Sequence, residues 1–86
     1  MAKEIEVRDE EVIKWFMEQY GEDVALEVLG KEPARRIVFF TPTGIRVFTP
    51  KQLLDEMQKG TEVGRLNMEI IREWLKYKRE KEIEGK

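Results

Sequence analysis

The sequence predicts a small single α+β domain, with about four helices around a β-hairpin in the order (β)-α-α-β-β-α-α. A third, N-terminal edge strand is the optional first element. Three observations carry this expectation. Apolar residues recur at helical spacing over residues 9–20 and 62–80. Two runs of β-branched and aromatic residues flank Pro42-Thr43-Gly44. A chain of 86 residues, 40% charged and 41% hydrophobic, is the size and composition of one folded domain, 1–86, with a small core.

Residues 3–8, KEIEVR, alternate Ile5 and Val7 with charge, as an edge strand with one buried face would, or as an arm. Asp9 is placed to N-cap a helix over 9–20, with Glu10 and Glu11 in the first turn and Gly21 as its stop. The apolar residues of that helix, Val12, Ile13, Trp15, Phe16, Met17 and Tyr20, cover an arc of roughly 200° at 100° per residue, so more than one neighbour should cover it. Residues 22–29 read as a second short helix stopped at Gly30, or as a strand on account of VALEVL.

The stretch VFFTPTGIRVFTP repeats Phe-Thr-Pro around a single Gly. Pro42-Thr43-Gly44 has the layout of a three-residue hairpin loop, a type I turn followed by a left-handed Gly. With Thr41 and Ile45 closing that loop, Ile37, Phe39, Ile45 and Val47 share one face, and Val38, Phe40 and Phe48 share the other with Arg36 and Arg46. Both faces are apolar, and two strands cannot cover themselves. The second Thr-Pro has a different role: Thr49 is an N-cap, Pro50 suits the first helical position, and Gln52 completes a capping box. That helix should run to about Lys59 with Leu53, Leu54 and Met57 inward and Gly60 as its stop.

Thr61 can cap the last helix, whose apolar residues Val63, Leu66, Met68, Ile70, Ile71, Trp74, Leu75 and Tyr77 again span roughly 200°. Asn67 lies near the middle of that arc, either fixing register against a symmetry mate or bonding a nearby carbonyl. Residues 80–86 read as a frayed charged tail.

Chemistry is bounded by what the chain lacks. It has no Cys, His or Ser, which removes thiol and serine nucleophiles, imidazole bases and His or Cys zinc sites. None of its carboxylate clusters has calcium-loop spacing, and the Gly60 to Gly64 segment lacks the Lys-Ser or Lys-Thr of a phosphate loop. No catalytic residue, metal or cofactor is expected. No stretch approaches the roughly 18 apolar residues of a membrane span. The acidic start differs from a signal peptide, so a cytoplasmic location is the expectation. Few Asn and Gln beside many Glu, Lys and Arg make a thermophile-like composition.

Net charge is −2, divided unevenly: residues 1–34 hold 4 basic and 10 acidic side chains, and residues 35–86 hold 12 and 8. That split reads as mutual neutralisation within the fold or between subunits, or alternatively as a basic C-terminal surface for an acidic partner. The two wide helical arcs and the two-sided ribbon ask for more cover than the chain supplies, so the expected function is non-enzymatic protein binding, most simply as a homodimer. The residues proposed for self-association are Val38, Phe40, Phe48, Asn67, Ile71 and Trp74.

The order strand, Pro, helix, turn, helix over residues 46–79, with RVFTP as ribbon, Leu53-Leu54 in a first helix and MEIIREWL in a second, resembles the ribbon-helix-helix DNA-binding fold. That resemblance implies a DNA-binding regulator as the alternative, with Arg35, Arg36, Arg46, Arg72, Lys76 and Arg79 as candidate phosphate contacts.

Overall fold

The computed structural model describes residues 5–84. In chain order it consists of α1 (Asp9–Val28), β1 (Ile37–Thr41), β2 (Gly44–Phe48), α2 (Pro50–Lys59) and α3 (Glu62–Glu84). The fold is a small α+β arrangement of three helices and one two-stranded antiparallel sheet. It corrects the expectation of four helices and a third strand in two places.

The first correction is in α1, a single helix of 20 residues that continues through Gly21. Glycine inside a helix costs about 1 kcal/mol, a penalty that packing on both sides of it overrides. Val12 and Phe16 are buried before it, and Asp23 and Val24 after it, all on one helical face. Residues 22–28 are thus helix and not strand, and the chain leaves the helix at Leu29 and Gly30. The N-cap is Arg8 and not Asp9; the Arg8 amide donates to the Glu11 carboxylate.

The second correction is at the N-terminal arm, where residues 5–8 form no strand. The proposed edge strand began at Lys3, and residues 3 and 4 lie outside the described residues. In place of ladder bonds, side chains of α3 hold the arm. Arg72 Nε donates to the Val7 carbonyl at 3.1 Å, and Arg79 donates to the Glu6 carbonyl at 2.9 Å, while Val7 itself is buried.

The hairpin lies where the sequence placed it, but its register is shifted by one residue. Thr41 pairs with Gly44, so the connection is the two residues Pro42 and Thr43. Gly44 holds φ 136°, a conformation unfavourable for any side chain, and the Thr41 hydroxyl donates to the Gly44 carbonyl at 2.7 Å. Because side chains alternate, the shift moves every β2 side chain to the opposite face. Phe39 and Phe48 now share the inner face, edge to face at 5.9 Å between ring centres, and both are buried. Burial of two aromatic rings together is the gain that selects this register.

Helix α2 follows its expected signals. Gln52 N–H donates to Thr49 Oγ1 at 3.2 Å and Thr49 N–H donates to Gln52 Oε1 at 3.0 Å, closing the capping box. The Thr49 hydroxyl also donates to Glu27 at 2.8 Å, tying the start of α2 to α1. Leu53, Leu54 and Met57 are buried, and the helix stops at Gly60. Thr61 then accepts from the Gly64 amide and starts α3. The helix is continuous to Glu84. The core collects Val12, Phe16 and Val24 of α1, the two inner phenylalanines, the apolar side of α2, and Ile71 of α3.

Candidate interaction surface

The register leaves Val38, Phe40, Ile45 and Val47 together on the outer face of the hairpin. Among the described residues no element covers them: their exposures run from 50% for Val38 to 81% for Phe40. A two-stranded sheet with one bare apolar face is marginal by itself in water. On α3 only part of the broad arc reaches the core. Ile71 is buried, and Val63, Met68 and Leu75, partly buried, pack against the core, whereas Leu66, Ile70, Trp74 and Tyr77 form a stripe about half exposed. Trp74 and Tyr77 stack at 6.0 Å, with Lys78 and Lys81 ammonium groups set over their rings at 5.9 and 5.6 Å.

A cleft joins the two surfaces. It measures about 320 Å³ and runs between the hairpin tip, with Phe40 and Arg46, and the first turns of α3, with Glu62, Val63 and Leu66. Its lining is mostly apolar. Arg46 and Glu62 bring opposite charges to it, and neither forms an ion pair among the described residues. Arg46 lies against the Phe48 ring at 4.8 Å on the inner side of the sheet.

Of the residues proposed from sequence for self-association, Val38, Phe40 and Trp74 lie on this surface. Phe48, Asn67 and Ile71 are buried in the chain's own core at 6%, 7% and 5% exposure. Asn67 finds its partner within the chain, its amide donating to the Met57 thioether at 3.0 Å. Ile45 and Val47 join the outer face because of the register, a feature that the ambiguous role of Gly44 hid. Leu66, Ile70 and Tyr77 were visible as part of the wide arc, with nothing in the sequence to say which half of it turns outward.

Most of the six candidate phosphate-binding cations are engaged elsewhere. Arg35 donates to the Asp23 carboxylate at 2.8 Å and to the Gln19 carbonyl, and stacks on Tyr20 at 4.6 Å. Arg72 bonds Asp9 and Glu69 besides the arm, Arg79 bonds Glu11 at 2.9 Å, and Lys76 lies 3.6 Å from Glu73. Arg36 is exposed ahead of β1.

Among the described residues two carboxyl groups are shifted. Burial pushes the Asp23 carboxyl up, but hydrogen bonds from the Ala34 amide and the Arg35 guanidinium outweigh it and leave the group below its ordinary value. The Arg79 guanidinium likewise holds Glu11 below its ordinary value. Among the described residues no cluster of three or more acidic side chains is arranged to hold a metal ion, and no helix is long and apolar enough to cross a membrane.

The folded chain also exposes more surface than its mass requires. Its accessible area is 6635 Å², against roughly 5,400 Å² from the usual scaling for a monomer of 10.3 kDa. Its radius of gyration is 14.7 Å, against about 12 Å for a compact domain of this length. Comparison of the chain with protein-family models, with curated proteins and with solved structures gives no match.

Proposed function

We propose that the protein is a non-enzymatic interaction module that self-associates, as a two-fold dimer, through the outer face of the hairpin and the adjoining stripe of α3. The observation that carries this reading is the bare quartet Val38, Phe40, Ile45 and Val47 on an element too small to stand alone. The available area fits the same reading. Eight apolar side chains, each about half to four-fifths exposed, offer on the order of 600–800 Å², close to the roughly 800 Å² per partner of a standard interface. The excess surface of the isolated chain is of the same order.

Light scattering at about 0.1 mM, far above the micromolar range of weak dimers, is expected to return twice the chain mass. Adding duplex DNA at low salt should leave that mass unchanged, whereas a salt-dependent complex would favour a nucleic-acid partner. Phe40→Asp with Val47→Asp should give a folded monomer. A parent protein that is monomeric at this concentration overturns the proposal.

A further inference from the structure

We infer that the two copies meet by reciprocal insertion: Phe40 of each seats in the cleft between the hairpin tip and α3 of the other. This rests on the self-association proposed above and specifies its contact. Phe40 is the most exposed large apolar side chain among the described residues, at 81%, and it forms one wall of an apolar cleft of about 320 Å³ that no described residue fills. A knob beside a hole on one surface is the arrangement that a two-fold axis makes self-complementary, because the same operation that brings one knob to its hole brings the second. The axis then passes next to Phe40, and each ring, seated in the opposite cleft, lies against the Phe40 that helps to line it.

Charge at the cleft agrees with this occupant. Arg46 and Glu62 line the same opening with opposite sign and form no ion pair among the described residues. The two-fold operation that exchanges the phenylalanines sets Arg46 of one copy towards Glu62 of the other, on both sides of the axis. A foreign apolar helix or strand could cover the quartet; a second copy supplies both an aromatic knob and this paired charge from the same few residues.

Two variants test the inference in combination. Phe40→Ser removes the knob together with one wall of its own cleft; Leu66→Trp fills the cleft with a ring and leaves the knob. Both positions are exposed enough that folding should survive, which circular dichroism and a thermal melt establish. Each variant alone should dimerise at least about tenfold more weakly than the parent, a loss of about 1.4 kcal/mol by the usual conversion. An equimolar mixture lets one Phe40 per pair enter an unblocked cleft and should associate more tightly than either variant alone. If the parent dimerises and both variants match it, the insertion is overturned while self-association stands. If both variants weaken and mixing restores nothing, the contact is not reciprocal and the inference also falls. A monomeric parent removes both proposals.

Discussion

At the scale of single residues, close approach and polar burial decide more than propensity does. Gly64 sits on the first turns of α3 where a Cβ would overlap the Glu56 carbonyl group of α2, backbone that cannot step aside cheaply. Gly64→Ala is therefore expected to force the two helices apart and cost on the order of 2–3 kcal/mol, a lower melting temperature being the measurement. Asn67 gives the opposite case. Among the described residues its amide has only a thioether as a hydrogen-bond partner, a weak acceptor, so Asn67→Leu should raise stability by on the order of 1 kcal/mol. Because that partner lies within the chain, the substitution should leave the solution mass as it is in the parent. A changed mass with unchanged stability would return Asn67 to the register role. Neither contact could be read from sequence, since each depends on which turn of α2 faces which turn of α3.

At the scale of elements, what was legible is what neighbouring residues determine among themselves. The Thr49, Pro50 and Gln52 start of α2 is complete within four residues, and the structure has each of its bonds as the sequence implies. Gly21 misled because a helix stop and a helix interior have the same letter, and the buried continuation at Asp23 and Val24 settles the matter from outside the segment. An alanine at 21 would meet only the Met17 methyl at 3.9 Å, so Gly21→Ala should stabilise the protein by about 0.5–1 kcal/mol, raising its melting temperature. Were α1 broken at that point, the same change would destabilise. The hairpin was legible in place but not in register, because Gly44 can be the last residue of a loop or the first of a strand. In either role its positive φ excludes a β-branched residue, and Gly44→Val should cost on the order of 1–3 kcal/mol in a denaturant melt.

At the scale of the whole molecule, charge placed at both ends of α1 holds the layers together. Near its start, Asp9 and Glu11 pair with Arg72 and Arg79, whose guanidinium groups also grip the N-terminal arm. Near its end, the buried Asp23 accepts from the Ala34 amide and Arg35, fixing the connector that delivers the hairpin. The sequence showed an acidic N-terminal part and a basic C-terminal part; their pairing within one fold needed the three-dimensional arrangement. Both Asp23 and Glu11 titrate below their ordinary values, 3.8 and 4.5. A carboxyl whose folded-state pKa is lowered adds stability that is fully present above the unfolded value and is lost as pH falls through the folded one. The melting temperature should hold steady from about pH 7 to pH 5 and then fall below about pH 4. Asp23 should dominate that fall, because it is buried with two donors aimed at it, whereas the half-exposed Glu11 pair is screened by water. Asp23→Asn keeps the shape and removes the charge; it should melt lower than the parent at neutral pH and show a shallower acid limb, with Glu11→Gln nearer the parent in both. Parallel acid limbs for Asp23→Asn and the parent would mean that the Asp23 contacts do not anchor the connector, and the hairpin would then owe its position to the Phe39 and Phe48 packing and the Thr49–Glu27 bond that follows it.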